Sequence, residues 1–231
     1  MADSTPSYRC LAIVDLNNED ALETNQAAWR ADDPFRALKD HGARRYVRGI
    51  ARRDDSPVWR PRSRLGAAQV WADDAATALD LAARMAERGF LKAHPVLRDA
   101  RLTVLATKEL QVIGPAREPP GDKVKSLFLV KRRPGLGVAA YQDYWRNVHG
   151  ELVVGAPGIT RYMQMQRLPA SYPADESAEY DGAAEMTWPD AAAQAAFNAG
   201  EPYRSRMTED LPNAFDLKAG IRFYVKEEVV F

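Results

Sequence analysis

One cysteine, three histidines and zero formal net charge leave this 231-residue chain without several common functional devices. The lone Cys10, in an apolar segment, excludes an internal disulfide and suits a reducing compartment. His41, His94 and His149 are far apart, and no His-x-x-x-His or Cys-x-x-Cys spacing offers a metal site, so no metal is expected. Gly135-Leu136-Gly137 lacks the rest of a nucleotide fingerprint, and no Gly-x-Ser-x-Gly sequence suggests a hydrolase elbow. No cofactor is predicted. No apolar run approaches the ~18 residues of a membrane span, and the polar, acidic Met1 to Ser7 has no apolar core of the signal-peptide kind. These absences predict a soluble, cytoplasmic protein without a membrane partner.

Charge is balanced locally as well. Lys plus Arg and Asp plus Glu both total 32, divided 19 against 17 up to Gly121 and 13 against 15 beyond it. Neither half is basic enough to suggest a nucleic-acid partner. The densest basic stretch, Arg44 to Arg64, holds eight arginines. They alternate with Val47, Gly49 and Ile50 and are partly offset by Asp54 and Asp55, which predicts a solvated strand face and loop.

What the chain does contain is a repeat. Gly66-Ala67-Ala68-Gln69 followed by Asp74-Ala75-Ala76 recurs as Gly182-Ala183-Ala184-Glu185 followed by Asp190-Ala191-Ala192, an offset of 116 (182 − 66). At the same offset Trp29-Arg30 meets Trp145-Arg146, Arg45-Tyr46 meets Arg161-Tyr162, and Leu11 to Val14 meets Leu127 to Val130. The copies part at one chemically important place, where His149 stands opposite Asp33. That asymmetry points to one working site and one retired copy.

Each copy reads strand, helix, strand, strand, helix, strand. In the first, strands are expected at Tyr8 to Leu16, Arg44 to Arg52, Leu65 to Trp71 and Leu102 to Val112. A helix over Asn18 to Asp40 breaks near Pro34 and ends at Gly42, and a second is capped by Asp73 with Ala75, Leu79, Ala82 and Met85 on its apolar face. The second copy predicts strands at Lys125 to Lys131, Thr160 to Arg167, Gly182 to Thr187 and Ile221 to Val230. Its helices are Val138 to Val148 and Asp190 to Asn198, with irregular or short helical structure from Pro202 to Ala214. The implied fold class is α+β: two tandem ferredoxin-like βαββαβ repeats, 1–114 and 124–231, joined by a Pro/Gly-rich linker over 115–123. Two such sheets pack bare face to bare face and close a barrel within one chain.

From Lys131-Arg132-Arg133-Pro134-Gly135-Leu136 through Tyr144-Trp145-Arg146-Asn147-Val148-His149-Gly150 to Pro157-Gly158-Ile159-Thr160-Arg161-Tyr162, the chain resembles the EthD family of the dimeric α/β-barrel superfamily. The likeness continues through Tyr180 to Met186 and Phe215-Asp216; the first repeat lacks the signature histidine. The resemblance implies a cofactor-free or accessory enzyme of small-molecule metabolism. Its clearest motif, an aromatic pair and then a histidine ending the first helix, falls on Tyr144, Trp145 and His149. A proline common after that histidine is replaced by Glu151.

His149 lies four residues after Trp145 and eight after Tyr141, which puts all three on one helical face. A histidine at a helix end titrates near working pH and can move a proton, or can simply cap the last carbonyls. Asp216 is the carboxylate expected to orient it; the alternative is an aspartate starting a turn. Tyr162, Gln164 and Gln166 share one strand face, suited either to a ligand cavity or to a satisfied polar interior. Trp145, Tyr144, Met163, Phe197 and Tyr203, with Met186 and Phe223, are the expected substrate walls. His41 and His94 read as structural. The segment Pro169 to Tyr180 is either a lid or an inert loop.

The leading expectation is a lyase- or isomerase-type reaction on a small aromatic, ether or polyketide-like compound, with His149 as general acid and base. Two alternatives are a cofactor-free monooxygenase or haem protein, and a non-catalytic accessory protein of an oxygenase system. A homodimer of fused barrels is the expected assembly, and the accessory reading adds a partner oxygenase.

Overall fold

A computed structural model of the chain describes residues 7–16, 21–52, 64–115, 123–200 and 203–231, with residues 203 and 204 described by their backbone alone. Its elements run β1 (Tyr8–Asp15), α1 (Leu22–Ala31), β2 (Arg45–Ala51), β3 (Arg64–Ala72), α2 (Ala75–Glu87), β4 (Arg101–Ile113), β5 (Val124–Val130), α3 (Val138–Tyr144), α4 (Gly150–Val153), β6 (Arg161–Arg167), β7 (Gly182–Trp188), α5 (Ala191–Ala199), α6 (Tyr203–Ala214) and β8 (Ile221–Val229). A 3-10 stretch, Pro34–His41, follows α1, and a π turn, Trp145–His149, separates α3 from α4. The strands hydrogen-bond in the order β1-β3-β2-β8-β5-β7-β6-β4 and close an α+β antiparallel barrel. The chain divides into two compact units, 1–108 with 225–231, and 109–224.

In the first unit β1 lies between β3 and β4, and β2 pairs with β3 and with the end of β8. Strand β1 is buried from Arg9 to Val14, so both its faces are covered. Helix α2 starts where the Asp74 carboxylate accepts from Thr77 N at 2.8 Å and satisfies one of the helix's unpaired amides. The cap is thus Asp74 rather than the expected Asp73, which instead pairs with Arg44 at the surface. The most buried positions of the helix are Ala78, Leu81 and Met85, with the expected Ala75, Leu79 and Ala82 half-buried beside them.

In the second unit β7 lies between β5 and β6. Its pairs Leu127↔Glu185 and Arg161↔Thr187 keep the register of Leu11↔Gln69 and Arg45↔Trp71 in the first unit, each shifted by 116. Asp190 caps α5 through Ala193 N, as Asp74 caps α2. Two glycines explain why the alanine-rich strands carry no side chain at one point. A Cβ on Gly182 would lie 2.6 Å from Met165 O and 2.8 Å from the Trp145 ring, and a Cβ on Gly66 would run into Gly49 O and the Trp29 ring.

Residues 203–214, expected to be irregular or briefly helical, form a three-turn helix despite Pro212. The helix closes through Phe215 N to Leu211 O at 2.8 Å, and Met207 and Leu211 pack on a core that contains Ala214.

The basic stretch is less solvated than expected. Arg48 is buried, with Nη1 2.8 Å from Asp33 and Nη2 2.8 Å from Glu228, and Arg64 pairs with Asp15 at 2.9 Å. Each carboxylate neutralises a guanidinium that alternation alone would have left in water. The part of the stretch over 53–63, the start of the α1 segment over 17–20 and most of the expected linker lie outside the described residues.

Candidate active site

Tyr141, Trp145 and His149 line one side of the helix that runs from α3 through the π turn. Phe215, just after α6, packs edge-on against all three, with ring centroids 5.7, 5.8 and 5.1 Å away. This aromatic cluster buries His149 to 4 % exposure. Its Nδ1 lies 2.8 Å from Oδ2 of Asp210 on α6. Oδ1 of Asp210 accepts from the Tyr144 hydroxyl and, at 3.1 Å, from Asn213 Nδ2.

The electrostatics assign the proton. Burial works against the Asp210 carboxylate, but the bonds from Tyr144, His149 and Asn213 outweigh it and hold the group below its ordinary range. Asp210 is therefore an anion near neutral pH and only accepts. Burial also pushes the His149 imidazole below its usual value, and Asp210 offsets part of that shift. A neutral imidazole facing an acceptor must donate from Nδ1, which leaves the lone pair on Nε2. No described residue hydrogen-bonds that nitrogen. Tyr144 keeps its proton more firmly than an ordinary tyrosine, chiefly through its bond to Asp210. The arrangement can accept a proton at Nε2, stabilise the resulting imidazolium through Asp210, and return the proton.

Asp216 does not do this. Its Oδ1 accepts from Lys218 N at 3.0 Å, starting the turn before β8. The carboxylate on His149 comes instead from α6, because that helix stacks on the π turn while the segment after it turns away toward the sheet. The signal for Asp210 was Met207, Leu211 and Ala214, whose helical spacing around it marks a buried stripe.

The expected substrate walls are mostly spoken for by the protein. Trp145 is 1 % exposed and donates from Nε1 to Tyr162 OH at 3.2 Å. Tyr162 is buried, which pushes its hydroxyl up to about 12. Gln164 Nε2 donates to Trp145 O at 2.7 Å and Gln166 Nε2 to Gln142 O at 2.8 Å. The Tyr-Gln-Gln row therefore faces the helix and satisfies its carbonyls. Met163 is buried outside the aromatic cluster, on the other strand face. Phe197 on α5 packs against Trp188 at 5.6 Å. Tyr203 opens α6, and its side chain lies outside the described residues.

The remaining candidates settle simply. His41 is exposed at the end of its 3-10 stretch, and His94 Nδ1 accepts from Val96 N and Leu97 N. The 169–180 connection is tied down: Arg167 donates to Ser171 O at 2.6 Å, Arg132 to Glu176 O at 2.8 Å, and both guanidiniums lie over the Tyr172 ring. A cavity of about 390 Å3 lies in the first unit between Ala86, Arg88, Ala100 and Leu102. Among the described residues no group of three or more His, Cys, Asp or Glu could hold a metal ion. No helix among them is long and apolar enough to cross a membrane.

Tyr144, His149, Asp210 and Phe215 all fall within residues 133–218, and that stretch matches the EthD domain. The match lies within the second unit. No curated protein matches the sequence significantly. Solved structures share the fold at low identity. A candidate monooxygenase from Fusobacterium nucleatum subsp. nucleatum aligns over 98 % of this chain and 94 % of its own, with 9 % identity and a TM-score of 0.56. An anthrone oxidase-like protein aligns over 99 % and 94 %, with 9 % identity and a TM-score of 0.62. A mutant chlorite dismutase from Candidatus Nitrospira defluvii aligns over 95 % and 91 %, with 7 % identity and a TM-score of 0.50. What this chain shares with these solved structures is the fold.

Proposed function

We propose that the EthD domain is the working half of a small-molecule enzyme in which His149 moves a proton. One observation carries the reading: His149 Nδ1 is held 2.8 Å from an anionic carboxylate while no described residue bonds Nε2. The substrate is a largely apolar carbonyl or phenolic compound whose acidic C–H or O–H is presented to Nε2; the aromatic cluster and the exposed Val148 beside His149 supply apolar surroundings. The proton returns to a leaving hydroxyl or to another carbon, which gives elimination, tautomerisation or cyclisation. The monooxygenase and anthrone oxidase-like neighbours favour an oxygenase-related variant of the same first step, in which the substrate carbanion meets molecular oxygen.

The first unit is the retired copy of a tandem βαββαβ duplication, with residues 1–114 and 124–231 as the two repeats and 115–123 between them. The shared registers, caps and close-packed glycines at a spacing of 116 support this. So does Asp33, opposite His149. Its carboxylate accepts from Trp29 Nε1, Phe35 N, Tyr46 OH and Arg48 Nη1, which leaves it a structural anchor with no group free for chemistry.

The test is to identify the compound that accumulates in cells lacking the protein and offer it to the purified wild type and to His149→Ala. The variant should fold and lose about 10²–10⁴ in kcat, the range of a positioned acid–base group. An unchanged kcat overturns the mechanism. Tight binding without turnover in the wild type, with a stable complex with an oxygenase, would assign an accessory role instead. If the protein held a haem, His149 would be the residue to bind its iron through Nε2, so a Soret band in the purified protein would assign His149 as a ligand in place of the base.

A further inference from the structure

The carbonyl of Trp145 is used twice. In a regular α-helix it would accept from His149 N, four residues on; here it accepts from Gly150 N, five residues on, and the turn Trp145–His149 widens. Its second donor comes from another element, Gln164 Nε2 of β6 at 2.7 Å. Gln164 is fully buried, and Gly150 makes room for its amide: a Cβ there would lie 3.0 Å from Gln164 Nε2 and 3.3 Å from Trp145 O. The extra residue in the turn rotates the helical residues beyond it by about 100°, the step of one helical residue. His149 is the last residue of that turn and the one that meets Asp210 on α6.

We infer that Gln164 is a positioning residue: its amide holds the π turn open on the Trp145 carbonyl, and the open turn sets His149 Nδ1 against Asp210. Gln164 touches neither the proton nor the substrate. The role rests on the proposed function only in what it serves, since the geometry it controls is measurable without turnover.

The experiment reads the imidazole tautomer of His149 by 15N NMR above its titration. A bond from Nδ1 to an anionic acceptor should favour the Nδ1–H tautomer by roughly tenfold or more in the wild type. In Gln164→Met, which keeps the volume and removes the donor, the ratio should fall toward parity. Gln166→Met is the matched control, because it removes an equivalent amide bond to Gln142 O one turn earlier, outside the π turn. That variant should keep the wild-type ratio. Gly150→Ala approaches the same contact from the helix side and should shift the ratio as Gln164→Met does, which provides a readout if Gln164→Met fails to fold. A wild-type ratio in Gln164→Met or in Gly150→Ala, or an equal loss in Gln166→Met, overturns the inference. A full kcat in His149→Ala with the tautomer shift intact overturns the proposed chemistry and leaves the positioning role standing.

Discussion

Replacing Asp210 by asparagine keeps the shape of the side chain and removes its charge and one of its acceptor oxygens. Three donors now converge on the carboxylate: the Tyr144 hydroxyl and Asn213 Nδ2 on one oxygen, and His149 Nδ1 on the other. An amide can serve only one side. With its oxygen toward Tyr144 and Asn213, its NH2 faces Nδ1, and the pair is satisfied only if the imidazole moves its proton to Nε2. The base lone pair then points inward. With the amide reversed, the two donors at Oδ1 are stranded instead, at about 1–3 kcal/mol for a buried unpaired group. Either way Asp210→Asn should cost about 10²–10⁴ in kcat, or roughly 3–5 kcal/mol of barrier, with a smaller loss in urea stability. Asp216→Asn is the contrast. An asparagine oxygen can still accept from Lys218 N, so its stability and kcat should stay within ~0.5 kcal/mol of the wild type. Steady-state kinetics and urea melts of the two variants decide the matter. Wild-type kcat in Asp210→Asn, or an equal loss in Asp216→Asn, refutes the assignment of Asp210.

Gly66→Ala and Gly182→Ala should each lower stability by about 1–3 kcal/mol, because the added methyl meets a carbonyl oxygen and a tryptophan ring in both units; denaturant midpoints unchanged by either substitution would contradict that packing. Stability should also fall on acidification. Burial depresses the His149 value in the folded state, so the unfolded chain, titrating near ~6.5, takes up its proton first. The contribution is complete above that pH and is lost as pH falls through the depressed folded value. Comparing urea midpoints of wild type and His149→Gln from about pH 7.5 downward should show a shallower loss in the variant over that window; parallel curves would mean that His149 is not buried as a neutral imidazole.

Most of the local architecture could be read from the chain. Strand alternation, aspartate caps and the Gly-Ala-Ala segments act over a few residues, and their recurrence at 116 placed nearly every element. His149 was legible for the same reason: Tyr141, Trp145 and His149 share a helical face whatever packs on it. The error at Asp73 against Asp74 is a one-residue displacement of a correct element, since neighbouring aspartates both suit a cap and only backbone geometry chooses between them.

The rest depended on tertiary packing. Spacing says which residues share a face, but it carries no information about which distant element will cover that face. Asp210 reaches His149 across 61 residues of chain because α6 stacks on the π turn, while Asp216, six residues farther on, is spent starting a turn. Alternation along β6 likewise separates Tyr162, Gln164 and Gln166 from Met163 and Met165, yet a strand buried on both sides gives no sign of which row meets the helix. The sequence alone determined the order of strands and helices and singled out the histidine that stands opposite Asp33 at the spacing of 116. Packing decided which carboxylate meets that histidine, because only the folded chain brings a buried anion within hydrogen-bonding reach of it.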